Sequence, residues 1–356
     1  FDGRVHTNGQ FRFAYQPTFH DLASSVNSKA WYYGNGTNVE LNADRNGTTD
    51  VPNFYGGFHR SDSVISLPTN SFSQERAAIG GNPADTSAPT NTEINQALGT
   101  NAGNLTASPP NGVYVPNSGG WITGGIYSVG NLSDMYLVAA SANQQIIRAI
   151  DAAGNHTDIT INIDTNTTSI QTASGTTTYN GVPRGCNYVR GNITSLRGQT
   201  RGSSGEVRPA IASNFQMSIV ATGDVTIRND IAYQDYANGE NVLGIFSSGG
   251  NIKIGTDAPN ELQLDAYVMA AATNKVFTVD NYDTGSYRGQ VHLRGGMVTN
   301  YYGAFGTFSS NGSQTGYGRD FRYDRRGYVP PYYPLTSRYV PDEPQPQVLA
   351  WREVYN

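Results

Sequence analysis

Apolar and polar residues alternate with period two along several short stretches of this chain, and each stretch is bracketed by glycine beside asparagine, aspartate or another polar residue. The stretches are "GRVHTNGQFRF" from Gly3, "GGIYSVGNL" from Gly124, "CNYVRGNIT" from Cys186, "GDVTIRNDIAY" from Gly223, "GNIKIG" from Gly250 and "GQVHLRGGMVTNYYGAF" from Gly289. Period-two alternation turns one face of an extended strand inward, whereas a helix would need apolar stripes at i, i+3 and i+4. Gly-Asn and Gly-Asp are expected to supply a positive-φ corner before the next strand. In "GGNIKI" the reading places Gly249, Gly250 and Asn251 in the turn, Ile252 and Ile254 in the core and Lys253 toward water.

A β-solenoid makes one circuit of strand, corner and strand per coil, so its motif returns after about twenty residues plus any side loop. From Gly223 to Gly250 the return takes 27 residues and from Gly250 to Gly289 it takes 39, the second interval holding "TNKVFTVDNYDTGSY". These spacings fit coils with side loops. A sandwich would carry the same alternation, and the direction in which neighbouring motifs pair separates the two. The expected fold is all-β: a β-solenoid of β-helix-like coils, one domain over residues 1–356.

Other segments depart from the pattern. Residues 143–179 read as an inserted β-meander, Ile-rich strands separated by "AAGN", "DTNT" and "ASGT" turns. Residues 72–104 hold one or two short helices, "SFSQERAAIGG" and "NTEINQALGTNAG", each opening on a capping residue and stopping at glycine. Residues 317–356 read as an extended Tyr/Pro-rich C-terminal capping strap. Its six prolines from Pro330 to Pro346 exclude a central strand, "VLAWREV" is expected to close it as a last strand, and its task would be to cover an open sheet edge.

Composition narrows the function classes. Of 356 residues 14% are charged and 11% aromatic, with 41 glycines and 23 tyrosines, a palette of strands and tight turns. A net charge of −5 argues against a globally basic nucleic-acid binder. Cys186 stands alone, so an intrachain disulfide and a cysteine zinc cluster are both excluded; a buried small residue is its expected role. No stretch reaches the roughly 20 apolar residues of a membrane helix, so no membrane contact is expected from this segment.

Candidate chemistry is sparse. The acids Asp224 with Asp230, Asp257 with Glu261 and Asp265, and Asp280 with Asp283 read as turn-holders bonded to backbone. A glycosidase would need two carboxylates facing across a cleft, which the spacing does not place. The histidines His6, His20, His59, His156 and His292 show no metal-binding spacing, and "DIAYQDYANGEN" from Asp230 lacks the rhythm of a calcium loop. No metal and no cofactor are therefore expected. Eight N-x-S/T triplets, at Asn35, Asn46, Asn104, Asn131, Asn155, Asn166, Asn192 and Asn311, matter only in a glycosylating host.

One local asymmetry of charge stands out in the basic loop of residues 184–210. Arg184, Arg190, Arg197, Arg201 and Arg208 face Glu206 alone in their stretch. Projecting from the scaffold, they would form an arginine comb for a phosphate backbone or another polyanion. An exposed loop whose charges serve only solubility would carry the same residues.

The run "GDVTIRNDIAYQ", then "LGIFSSGGNIKIGTDAPNELQLDAYVMAA", then "YRGQVHLRGGMVTNYYGAFGTFSSNGSQTGYGRDFRYD", with "PPYYP" and "LAWREV", resembles an uncharacterised family of bacterial envelope proteins. Members follow a PilX-type, pilin-like N-terminal segment, especially in the Deinococcus and Thermus group. "FDGRVHTNGQFRF" and "NGVYVPNSGGWITGGIYSVGNL" are similar to earlier blocks of that family. The resemblance implies a β-solenoid displayed outside the cell, at the surface or a pilus tip, anchored through a segment not present here. One competence-associated pilin-like member of the family is linked to DNA uptake; the family supplies no catalytic residues. The function expected is a non-enzymatic extracytoplasmic binding or display module of a type IV pilus-like system. Its partners would be DNA or another polyanion, and pilus or surface-assembly subunits. The alternatives are a structural or adhesive surface subunit and a polysaccharide-active β-helix enzyme, which would gather two or three carboxylates in a groove on one face.

Overall fold

In a computed structural model, which describes residues 1–13, 17–32, 37–40, 52–309, 312–324 and 326, the chain is mostly β, with two large sheets and two short helices. Strands from successive repeats pair in parallel. One sheet sets Ile126–Val129 beside Cys186–Arg190, Gln216–Ala221, Val242–Ser247, Leu262–Ala270, Tyr287–Thr299 and Gly312–Tyr323. The other sets Leu132–Ser141 beside Ile193–Arg197, Val225–Ile227, Ile252–Ile254 and Phe277–Val279. A short third track pairs Pro209–Ile211 with Ala232–Tyr233 and continues through a bridge from Ile231 to Leu264.

In-register pairing stacks like upon like. Leu132, Ile193, Val225, Ile252 and Phe277 form one inward column; Leu196, Ile227, Ile254 and Val279 form the next, and all nine are buried. Fully burying a side chain of this size is worth about 1.5–3 kcal/mol, which is why the period-two positions carry Ile, Leu and Val. Lys253 between its two buried isoleucines turns outward, and its ammonium lies 2.7 Å from Asp224.

The corners between the two sheets are joined by a side-chain ladder. Asn131 Oδ1 accepts the Asn192 N–H (2.8 Å), Asn192 Oδ1 the Asp224 N–H (2.7 Å), Asp224 Oδ1 the Asn251 N–H (2.8 Å) and Asn251 Oδ1 the Val276 N–H (3.1 Å). Two sequence expectations are corrected here. Of Gly130, Gly191, Gly223 and Gly250, Gly130 alone takes a positive φ, 86°. The others are glycine because the neighbouring repeat passes too close: a Cβ on Gly250 would overlap the backbone of Gly223 and Asp224, and one on Gly191 would lie 2.6 Å from the Gly130 carbonyl. The corner after Asn251 is Lys275–Val276. Gly289 belongs instead to the Tyr287–Thr299 strand of the opposite sheet.

Residues 143–179 carry antiparallel strands, Gln144–Asp151, His156–Asn162, Thr167–Thr172 and Gly175–Asn180, which extend the second sheet from Leu132–Ser141. Helix α1, Phe72–Ala78, and helix α2, Asn91–Leu98, occupy the helical excursion. Helix α2 is capped by Thr90, whose Oγ1 accepts the Glu93 N–H while Glu93 accepts the Thr90 N–H. Helix α1 has no side-chain cap bond and is held by packing on the stack. Its Glu75 accepts the Tyr127 hydroxyl at 2.7 Å, and Ser71 bonds the Tyr188 hydroxyl at 3.1 Å. Cys186 is buried beneath it, its thiol donating to the Gln74 carbonyl and pushed up to about 12 by burial.

The N-terminal segment repeats the same grammar on a smaller scale. Val5–Thr7, Ala23–Ser25 and Phe58–Arg60 pair in parallel, as do Thr18–Phe19 with Asn53–Phe54, around buried Phe13, Phe19 and Phe54. This unit joins the main stack through a parallel bridge from Asp2 to Arg322. Among the described residues no helix is long and apolar enough to cross a membrane. The strap expected over 317–356 lies outside the described residues beyond Arg326, as do the triplets at Asn35, Asn46 and Asn311; residues 317–323 belong to the Gly312–Tyr323 strand.

Candidate functional site

The outward face of three adjacent strands forms the candidate site. Leu262, Leu264, Val291 and Leu293 point into the core, so the alternate residues Gln263, Asp265, His292 and Arg294 face the other way. Register then sets two outward columns side by side, Gln263–His292–Asp320 and Asp265–Arg294–Arg322. Together with Leu293 these six line a cleft of about 270 Å³.

Most of the polar atoms on this flank are spent on each other. His292 Nδ1 lies 2.8 Å from Asp320 Oδ2 and its Nε2 lies 3.0 Å from Glu261 Oε2. Arg322 Nε donates to Asp320 Oδ1 at 3.0 Å. Burial pushes the Asp320 carboxyl up, but the bonds from His292 and Arg322 outweigh it and hold the group below its ordinary range. The Gln290 backbone N–H and then His292 hold Glu261 low as well. Asp265 is different: it is 1% exposed, and burial raises its pKa despite the Tyr233 N–H that it accepts at 2.8 Å. Arg294 stacks on the Tyr236 ring, its Cζ 3.9 Å from the centroid, and its nearest carboxylate oxygen, Asp265 Oδ2, is 4.0 Å away.

The stretch 184–210 is not one loop, since Cys186–Arg190, Ile193–Arg197 and Pro209–Ile211 are strands of the sheets, and its arginines do not project together as a comb. Arg184 donates to the Gly81 carbonyl at 2.8 Å, and Arg190 lies 3.3 Å from the buried Glu75. Arg197 grips Asp134 with two 2.8 Å bonds while its guanidinium sits 4.4 Å from the Tyr136 ring. Arg201 forks onto the fully buried Asp230 at 2.6 and 2.9 Å and donates to the Glu261 carbonyl at 2.7 Å. Arg208 is exposed. The physical reason is that carboxylates buried or half-buried on neighbouring elements demand charge partners: three of the five heads pair with an acid and Arg184 with a backbone carbonyl. Arg201 is thereby brought next to the cleft, as the tie that holds the Glu261 corner over Asp230.

Two of the remaining candidate acids, Asp224 and Asp257, are also bound. Asp224 serves the corner ladder and Lys253, and Asp257 takes Arg228 Nη1 at 2.6 Å. Of the histidines, His6 bonds Ser24 and Asn8 at the N-terminal unit, far in sequence from His292. Among the described residues no three His, Cys, Asp or Glu side chains are grouped to hold a metal ion. In the sequence Glu261 and Asp265 read as turn-holders, and Arg294, Asp320 and Arg322 are absent from the candidate chemistry. The signal that could have found them is the period-two alternation of charge in "QVHLR" and "GRDFR", which places charges on the outward face of adjacent strands.

No family model, no curated protein and no solved structure matches the chain.

Proposed function

We propose that the chain is a β-solenoid serving as a non-enzymatic binding and display module outside the cell, carried on a type IV pilus-like assembly. The corner ladder carries the solenoid part of this reading: residues of one type at one offset, Asn131, Asn192, Asp224 and Asn251, bond each to the next repeat. A rod held along its length in this way presents side chains at the inter-strand spacing of about 4.8 Å, which suits a rigid display surface better than a closing enzyme cleft. The envelope placement draws on the sequence resemblance, and binding is assigned to the cleft beside His292 in place of the arginine loop. Immunogold labelling of intact cells with antibody to the purified chain tests the placement. Label on surface filaments is expected, and label that appears only after lysis overturns it. Solution scattering tests the rod: an elongated particle is expected, and a near-spherical one removes the solenoid.

One observation favours a second reading. Glu261, Asp265 and Asp320 approach one flank, as a polysaccharide-active enzyme would require. Glycoside hydrolysis needs a protonated carboxyl presented to the scissile oxygen, yet Glu261 and Asp320 are held ionised by their partners and Asp265 is shut off from solvent. Release of reducing ends from acidic or neutral polysaccharides by the purified chain would establish the enzyme reading over the binding one.

A further inference from the structure

We infer that the cleft between Asp265, His292, Arg294 and Asp320 binds a carboxylated sugar, a uronate residue of an acidic glycan, with Arg294 as the carboxylate-binding residue. The inference rests on the binding-module reading and assigns it a site and a ligand class.

The argument starts from unspent donors. Arg294 makes no hydrogen bond among the described residues; its only charge partner is Asp265 Oδ2 at 4.0 Å, beyond hydrogen-bond reach. Its guanidinium lies over the Tyr236 ring, 3.9 Å from the centroid, and Arg326 lies over the same ring at 4.4 Å. A planar guanidinium fork with unspent N–H groups at the wall of a cleft matches a carboxylate bidentately. Arg322, one strand further on in the same column, also lines the cleft, and among the described residues its hydrogen bond is from Nε to Asp320.

The surroundings select among anions. Asp320, Glu261 and Asp265 crowd the same flank, and a phosphodiester, which brings negative charge without hydroxyl donors at the charged group, would leave these acceptors facing an anion unpaired. A sugar instead brings one carboxylate with several hydroxyls, and hydroxyls need acceptors. Asp320 has oxygen lone pairs beyond its His292 and Arg322 bonds. The volume, about 270 Å³, lies below the range of about 300–1,000 Å³ typical of drug-sized ligands and suits a single ring of a longer chain.

Isothermal titration of the full chain with oligogalacturonate and oligoglucuronate tests the inference, with neutral oligosaccharides and a short DNA duplex as the other arms. Binding of a uronate oligomer is expected, weakened at least tenfold by Arg294→Gln and less by Arg294→Lys, which keeps the charge and loses the fork. Arg208→Ala, outside the cleft, is expected to bind as the unmodified chain does, and circular dichroism confirms that each variant folds. Equal affinity for neutral oligomers, uronate binding untouched by Arg294→Gln, DNA binding in preference to uronate, or no binding at all each overturns the inference. Surface labelling of cells is unaffected by any of these results, so the site can fail while the display reading stands.

Discussion

Asp2 pairs in parallel with Arg322, and the Tyr323 N–H donates to the Asp2 carbonyl at 3.0 Å. The N-terminal unit therefore extends the stack from its late end, while residues 61–111 lead back toward the first strands. A junction this close tolerates only glycine at the next position. Gly3 sits at φ 113°, and a Cβ there would overlap the Tyr323 side chain. Gly3→Ala is expected to destabilise the chain by about 2 kcal/mol from backbone strain and overpacking. Gly103→Ala, where a Cβ meets open space, is the control. Urea unfolding followed by circular dichroism reads both, and equal midpoints would show that the junction contributes nothing.

The corner ladder makes a second comparison sharp. Asn192→Ala removes the acceptor of the Asp224 N–H and is expected to cost about 1 kcal/mol, the usual net worth of one hydrogen bond. Gly250→Ala drives a methyl into the Gly223–Asp224 backbone, which cannot rotate away as a side chain can, and is expected to cost about 3 kcal/mol. Thermal unfolding of the two variants should rank them in that order. The reverse ranking would mean that the corners are held by the side-chain ladder more than by close backbone contact.

Arg201 offers a separate test of the loop. Asp230 is fully buried, and Arg201 supplies both of its charge-assisted bonds. Arg201→Ala leaves that charge unpaired, and a loss of about 3–5 kcal/mol is expected. Arg208→Ala should stay within about 0.5 kcal/mol, as exposed substitutions do. Calorimetry distinguishes the two. If both were neutral, the loop arginines would be free for a polyanion after all.

What the sequence revealed and what it hid have physical reasons. Inward Ile252 and Ile254 were legible because a strand's inner face must be apolar, and the Gly-Asn pairs were legible as corners. The reason for those glycines was not, since close passage of Gly250 over Gly223 is a contact between repeats and leaves no local trace. The recurring Asn and Asp were legible as turn residues, and only register shows that each side chain reaches the next repeat. The partners of the loop arginines, Asp134, Asp230 and Glu75, lie elsewhere in the chain, so counting charges in a window saw a surplus where the fold has pairs. The cleft was hidden for the same reason: Gln263, His292 and Asp320 meet only because three strands align.

Two glutamates should shape the pH dependence of stability in opposite directions. Burial raises the folded-state pKa of Glu75 above 4.5. The unfolded chain then ionises first, so the contribution of Glu75 is fully present below pH 4.5 and is lost as pH rises through the folded-state value. Glu75→Gln keeps an acceptor for the Tyr127 hydroxyl and cannot ionise, so its stability relative to the unmodified chain should improve as pH climbs above 4.5. Glu93 is the reverse case. The Thr90 N–H, then Arg76 and the Thr90 hydroxyl, lower it to about 2, so its contribution is present above 4.5 and disappears as pH falls toward about 2. Glu93→Gln should therefore flatten the acid limb and leave the neutral limb's slope unchanged. Urea midpoints at a series of pH values from about 3 to about 8 read both slopes. A Glu75→Gln profile parallel to that of the unmodified chain above pH 4.5 would mean that the buried carboxylate is fully compensated by Arg190, 3.3 Å away.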